Sequence, residues 1–188
     1  QIVSDFTADH KVLKSRIEDM KNRGAGTAFY DGTWSALDML GGLKEARKAL
    51  VVLTDGVDNS LDTRFTPKHS FEELVGRAAE EDATIYPIYL DTEMEQVKER
   101  GEKEHLVYAT ARRQLNDLAE QTAGTMFKAV DEEDLKGAYK QVAAELHSFY
   151  SMGYSPKNSR SSGQWRKIAV KVNREGAVAQ SRRGVYDR

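Results

Sequence analysis

The sequence predicts an α/β fold: a doubly wound, mostly parallel sheet of Rossmann-like type, N-terminally incomplete, with an antiparallel β appendage at its C-terminal end. Three observations predict it. Two short continuous apolar runs, ALVVLT at 49–54 and TIYPIYL at 84–90, read as strands covered on both faces. Amphipathic helical segments alternate with them along the chain, as right-handed βαβ units require. Beyond residue 148 the apolar period changes from helical to two.

Residues 1–7 carry Ile2, Val3 and Phe6 and read as a strand end or a loop. Asp9 is the expected N-cap of a first helix, with Leu13, Ile17 and Met20 on one stripe and Gly24 as its stop. The glycine-rich GAGTAFYDG (24–32) enters a second helix striped by Tyr30, Trp34, Leu37 and Gly41. After the strand at 49–54 comes DGVDNS (55–60), then a polar loop to Lys68. Ser70-x-x-Glu73 spells a capping box in front of Phe71, Leu74, Val75 and Ala78.

Residues 91–103 are charged, and are expected to form a long surface loop or an exposed helical excursion. Leu115, Leu118, Ala119 and Thr122 mark the next helix, closed by Gly124 before a short strand at 125–129. Asp131 caps a last helix striped by Leu135, Ala138, Val142, Leu146 and Phe149. The segments 149–156 and 164–174 alternate with period two around a polar turn, and 176–188 offers a third extended piece. The expected division is therefore an α/β domain over 1–148 and a β extension over 149–188 packed on it.

Composition narrows the function. The 188 residues are 39% hydrophobic and 31% charged, but 28 basic against 30 acidic residues leave a net charge of −2. No one-sign field exists to condense on phosphates, so nucleic acid is not an expected partner. No apolar run approaches the roughly 20 residues of a membrane helix. Without cysteine, thiolate metal sites, disulfides and a Cys nucleophile are excluded. The four histidines show no zinc spacing, no G-x-S-x-G marks a hydrolase, and GAGTAF lacks the Gly-Lys-Ser/Thr of a P-loop.

In an open parallel sheet, ligands gather beyond the C-terminal ends of the strands. Two loops fall there, one carrying Thr27 and Asp31, the other carrying Asp55 directly after a buried strand. A hydroxyl and a carboxylate suit a hard divalent cation, since Mg²⁺ takes oxygen ligands and keeps several waters. The same residues also read as an N-cap and a tight Asp-Gly turn.

GAGTAFYDG, a helix, and then ALVVLTDGVDNS resemble the later motifs of the von Willebrand factor A domain, in particular its bacterial, acidobacterial-type relatives. LNDLAEQTAGTMFKA (115–129), YSMGYSP, QWRKIAVKV and SRRGVYDR resemble downstream segments of the same family, so the likeness runs over nearly the whole chain. It implies a non-catalytic adhesion module in which Mg²⁺ (or Mn²⁺ or Ca²⁺) is held by three loops and a protein partner's acidic side chain completes the shell. Thr27 maps onto the second loop's Thr and Asp55 onto the third loop's Asp, with Asp31, Asp58 and Asn59 as the expected partner-binding rim. It further implies an extracytoplasmic location in a bacterium.

The family's first loop, Asp-x-Ser-x-Ser, occurs nowhere in the chain. The expectation is that an N-terminal segment, covalent or held as a separate chain, supplies the first strand and that loop. Without it the metal site is incomplete, and 49–54 would expose a long apolar edge. Two other functions remain open from the sequence: an assembly role for the C-terminal strands, and a phosphohydrolase built on Asp55.

Overall fold

The computed structural model describes residues 2–20, 27–43, 47–58, 66–148, 150, 152–153 and 163–186. Along them run α1 (His10–Glu18), α2 (Phe29–Gly41), β1 (Lys48–Thr54), α3 (Phe71–Glu80), β2 (Ala83–Leu90), α4 (Glu93–Arg100), α5 (Lys103–Gln121), β3 (Phe127–Ala129), α6 (Glu132–His147), β4 (Trp165–Lys167) and β5 (Gly184–Tyr186). β1, β2 and β3 form a parallel sheet in that order, with Thr54 opposite Tyr89 and Ile88 opposite Phe127. β4 and β5 pair antiparallel as a separate two-stranded sheet, Trp165 opposite Tyr186.

The sheet's two faces follow from strand periodicity. On one face Leu50 and Val52 of β1 and Ala83, Ile85 and Tyr89 of β2 pack beneath α2, α3 and α5, through Leu37, Leu74, Ala78, Leu115 and Leu118. On the other, Ile88, Leu90, Phe127 and Ala129 pack under Leu135 and Ala138 of α6, with Val51 at the margin. β2 is central and buried along nearly its whole length, whereas β1, an edge strand among the described residues, is only partly buried and leaves Leu53 45% exposed.

Several sequence expectations are met in detail. Asp9 caps α1 by accepting the Lys11 and Val12 N–H groups, and Asp131 caps α6 through Asp134 N–H at 2.9 Å. Ser70 and Glu73 form the reciprocal capping box of α3. Others change. The charged excursion is helical, as α4, and α5 begins at Lys103, well before its apolar stripe. The third strand starts at Phe127 rather than Thr125, and β4 spans three residues, with one further backbone bond from the Ile168 N–H to the Arg183 carbonyl at 2.9 Å. Gly24 and most of 149–156 lie outside the described residues.

The C-terminal extension is strapped to the end of the sheet away from the strand C-termini. Arg182 donates to the carbonyls of Ala79, in the last turn of α3, and Ala83, at the start of β2, and pairs with Asp82 at 2.8 Å. Arg183 pairs with Glu120, and Gln180 donates to the Gly124 carbonyl. No helix among the described residues is long and apolar enough to cross a membrane.

Candidate functional site

At the C-terminal end of β1 the chain makes two short local turns. Thr54 Oγ1 accepts the Gly56 N–H at 2.9 Å, and Asp55 Oδ1 accepts the Val57 N–H at 3.2 Å. Such side-chain-to-backbone bonds two residues apart are the ordinary turn chemistry of Ser, Thr, Asp and Asn. Gly56 holds a φ of 75°, and a Cβ there would lie 2.7 Å from a methyl of Leu115. The glycine is thus required both for its left-handed backbone and for the close approach of α5.

Asp58 then turns inward. It is 1% exposed, and its Oδ2 accepts the Tyr30 N–H at 3.0 Å. The N-cap of α2 is Ala28, which has no side-chain acceptor, so Asp58 serves from another loop as the acceptor for that helix's first turn. Its negative charge also lies at the positive end of the helix dipole. Tyr30 is fixed from its other end by Gln114 of α5, at 2.9 Å from the phenol oxygen.

This bond joins the two predicted loops. Thr27 lies three residues before Tyr30, and Asp55 three residues before Asp58. Three extended residues span at most about 10 Å, so each lies within about 10 Å along the chain of the Asp58–Tyr30 bond. Thr27 is exposed, and Asp55 is half-buried.

The other predicted residues take different places. Asp58 lies beneath the rim as a buried helix cap, out of reach of a macromolecular partner. Asp31 points along the outer side of α2, and its carboxylate accepts the backbone N–H groups of Lys68 and His69 at 3.1–3.2 Å, anchoring the segment that leads into α3. Asn59 lies outside the described residues.

The electrostatics single out Asp55. Burial pushes its carboxyl above the usual carboxylate range, opposed only in part by hydrogen bonds from the Val57 and Asp55 N–H groups. A half-buried carboxylate whose charged form is penalised is one that a bound cation would stabilise. Thr27 and Asp55 offer the hydroxyl and carboxylate oxygens that hard cations prefer, but two ligands are few for an ion that takes six. Among the described residues no group of three or more His, Asp or Glu side chains could hold a metal.

No family model and no curated protein matches the chain.

A second polar cluster, partly within the charged stretch 91–103, sits at the C-terminal ends of β2 and β3. Glu93 of α4 binds His105 Nδ1 at 2.7 Å and also pairs with Arg112, tying α4 to α5. Asp91 pairs with Lys128, whose ammonium holds the Asp91 carboxyl below the usual range. Arg112 also lies 6.0 Å over the Tyr89 ring. The signal for this cluster was the spacing of Glu93, His105 and Arg112, which becomes a contact only once two helices fold back on each other.

The raised Asp55 pKa fixes a sign. The folded chain holds this proton more tightly than the unfolded chain, so the ionised group opposes folding. This stabilising contribution is present below the unfolded-state pKa and is lost as pH rises through the raised folded one. Asp55→Asn is therefore expected to raise the metal-free melting temperature at pH 7 and to leave it nearly unchanged near pH 3. Melting curves at the two pH values check this; a lower melting temperature at pH 7 would contradict it.

Proposed function

We propose that the chain is the C-terminal part of a metal-ion-dependent protein-binding module of von Willebrand factor A type. The observation that carries the reading is the Asp58–Tyr30 hydrogen bond, which ties the loop after β1 to the start of α2, three residues beyond Thr27. Supporting it are the parallel sheet, the open edge of β1, and the ordered motifs from GAGTAFYDG to SRRGVYDR.

In this reading Thr27 supplies a hydroxyl oxygen and Asp55 a carboxylate, directly or through water, to Mg²⁺ or a similar ion. Held there, such an ion would supply Lewis acidity for a carboxylate of a protein partner. An N-terminal segment, covalent or separate, adds a strand along β1 and brings the remaining metal loop. The residues of this chain position and desolvate; they carry out no bond-making step. The reading carries an extracytoplasmic, bacterial location, where plentiful Mg²⁺ suits a site of modest affinity.

The test is thermal unfolding of the chain against MgCl₂ from zero to about 20 mM, with EDTA reversal. Anything that binds only the folded state stabilises by RT ln(1 + [L]/Kd), so a millimolar Kd gives about 1.8 kcal/mol at 20 mM. A rise of roughly 4–7 °C is expected for a chain of this size. Asp55→Ala should abolish the rise. An unchanged melting temperature, or an equal rise in Asp55→Ala, would sink the proposal.

A second reading is favoured by one observation: β4 and β5 form their own ribbon, with Trp165 44% exposed, so its edges could pair with a neighbouring sheet. Deletion of 163–188 that leaves the oligomeric state unchanged would count against it.

A further inference from the structure

The N-terminal end of the sheet, away from Thr27 and Asp55, carries a polar notch built largely from backbone. Its walls are the Ala79 carbonyl in the last turn of α3, the Ala83 carbonyl at the start of β2, and the Asp82 carboxylate between them. The last four carbonyls of a helix have no donor within it, so the Ala79 oxygen takes one from elsewhere. Asp82 holds a left-handed φ of 56° where the chain passes from α3 into β2.

One guanidinium fills this notch. Arg182 Nη1 donates to the Ala79 carbonyl at 3.3 Å and lies 2.8 Å from Asp82 Oδ1, while Nη2 donates to the Ala83 carbonyl at 3.4 Å. The Arg182 side chain is 17% exposed against 87% for Asp82, so the ion pair contributes little and the two carbonyls set the geometry. A planar fork of fixed donors can meet three oxygens in this way; an ammonium, a point charge on a flexible stem, cannot. The other contacts that dock the extension are also polar, from Arg183 to Glu120 and from Gln180 to the Gly124 carbonyl. Among the described residues, no side chain of 163–186 enters either apolar cluster of the sheet. The ribbon of β4 and β5 instead packs on itself. A Cβ on Gly184 would lie 2.6 Å from the Trp165 ring, and the Ile168 N–H bonds the Arg183 carbonyl.

We propose that the notch is a guanidinium-recognition site whose resident ligand is Arg182 of the same chain, and that this contact is a releasable clasp for the ribbon of β4 and β5. A competing guanidinium displaces Arg182 and frees the ribbon while the three-stranded sheet stays folded. No metal takes part.

The test titrates methylguanidinium and methylammonium, at equal ionic strength, into Arg182→Ala and into the unmodified chain, and reads backbone amide spectra. In Arg182→Ala, methylguanidinium is expected to shift the signals of residues 80–84 saturably and to bind at least fivefold more tightly than methylammonium. In the unmodified chain it should move the signals of 180–184 in step with those of 80–84, and leave those of the sheet strands β1 and β3 in place. Arg182→Lys should match Arg182→Ala at 180–184, since a lysine lacks the fork. The absence of a saturable shift, or equal binding of the two cations, would overturn the site, and so would Arg182→Lys signals that coincide with those of the unmodified chain. Loss of the β1 and β3 signals in step with those of 180–184 would overturn the clasp, because the extension would then belong to the sheet's own folding unit.

Discussion

Replacing Gly124 by alanine is expected to cost about 3 kcal/mol or more and to lower the melting temperature by roughly 6–12 °C. The reason is a backbone contact. A Cβ on Gly124 would sit 1.9 Å from the Ile85 carbonyl oxygen and 2.8 Å from its carbon. Ile85 belongs to β2, the buried central strand, with its carbonyl neighbours paired to β1, so it cannot move aside without breaking the ladder. The neighbouring residue gives the contrast. Ala123 holds the left-handed position after α5 (φ 60°), while the Gly124 N–H returns to the Ala119 carbonyl at 2.8 Å. That pairing closes the helix as a Schellman motif, in which glycine is preferred at the position Ala123 occupies. Ala123→Gly is therefore expected to stabilise by about 0.5–1 kcal/mol, against the large loss one residue later. Urea unfolding of both variants checks the pair; a Gly124→Ala loss under 1 kcal/mol would show that the strand gives way.

Asp58→Ala is expected to destabilise by about 2–3 kcal/mol, a fall of roughly 4–12 °C in melting temperature. The substitution removes the acceptor of the Tyr30 N–H, which lies in the first turn of α2. It also removes a negative charge from the helix's positive end. Asp58→Asn keeps an acceptor oxygen and should cost about 1 kcal/mol. The same substitution should uncouple the two loops, so Asp58→Ala is expected to lose Mg²⁺-dependent stabilisation although Asp58 is not a proposed ligand. Melting with and without MgCl₂ measures both effects. A variant within 0.5 kcal/mol of the unaltered chain would show that the Asp58 carboxylate does not hold the helix.

Much of the fold is written in local pattern. ALVVLT and TIYPIYL are strands, as their unbroken apolar runs indicate, and they pair in parallel; the expected cover on both faces holds for β2, whereas β1 is only partly buried. Ser70 and Glu73, and Asp9 and Asp131, cap where their types and spacing say they should. The misreadings share a cause. α4 and the first half of α5 carry little apolar stripe, and a hydrogen bond from Glu93 to His105 and an ion pair to Arg112 tie them together. Ala111, small enough to let Gly56 approach, marks the α5 face no better than a surface alanine would.

The site was legible in part. Thr27 and Asp55 are named from the loops that carry them, and the structure ties those loops together through the Asp58–Tyr30 bond. The duties of Asp31 and Asp58 do not follow, because each is set by backbone N–H groups far away in sequence, at Lys68 and His69 and at Tyr30. An aspartate after a strand reads as a rim residue until the chain it returns to is known.

The most direct measurement of the shared oxygen site is paramagnetic broadening of backbone amide signals by substoichiometric Mn²⁺, which reports even weak binding. The account predicts selective loss of the signals of residues 27–31 and 55–58, reversed by excess Mg²⁺ and absent in Asp55→Ala. Broadening centred elsewhere, such as on Asp91 and Glu93, or a pattern that Asp55→Ala leaves unchanged, would contradict it.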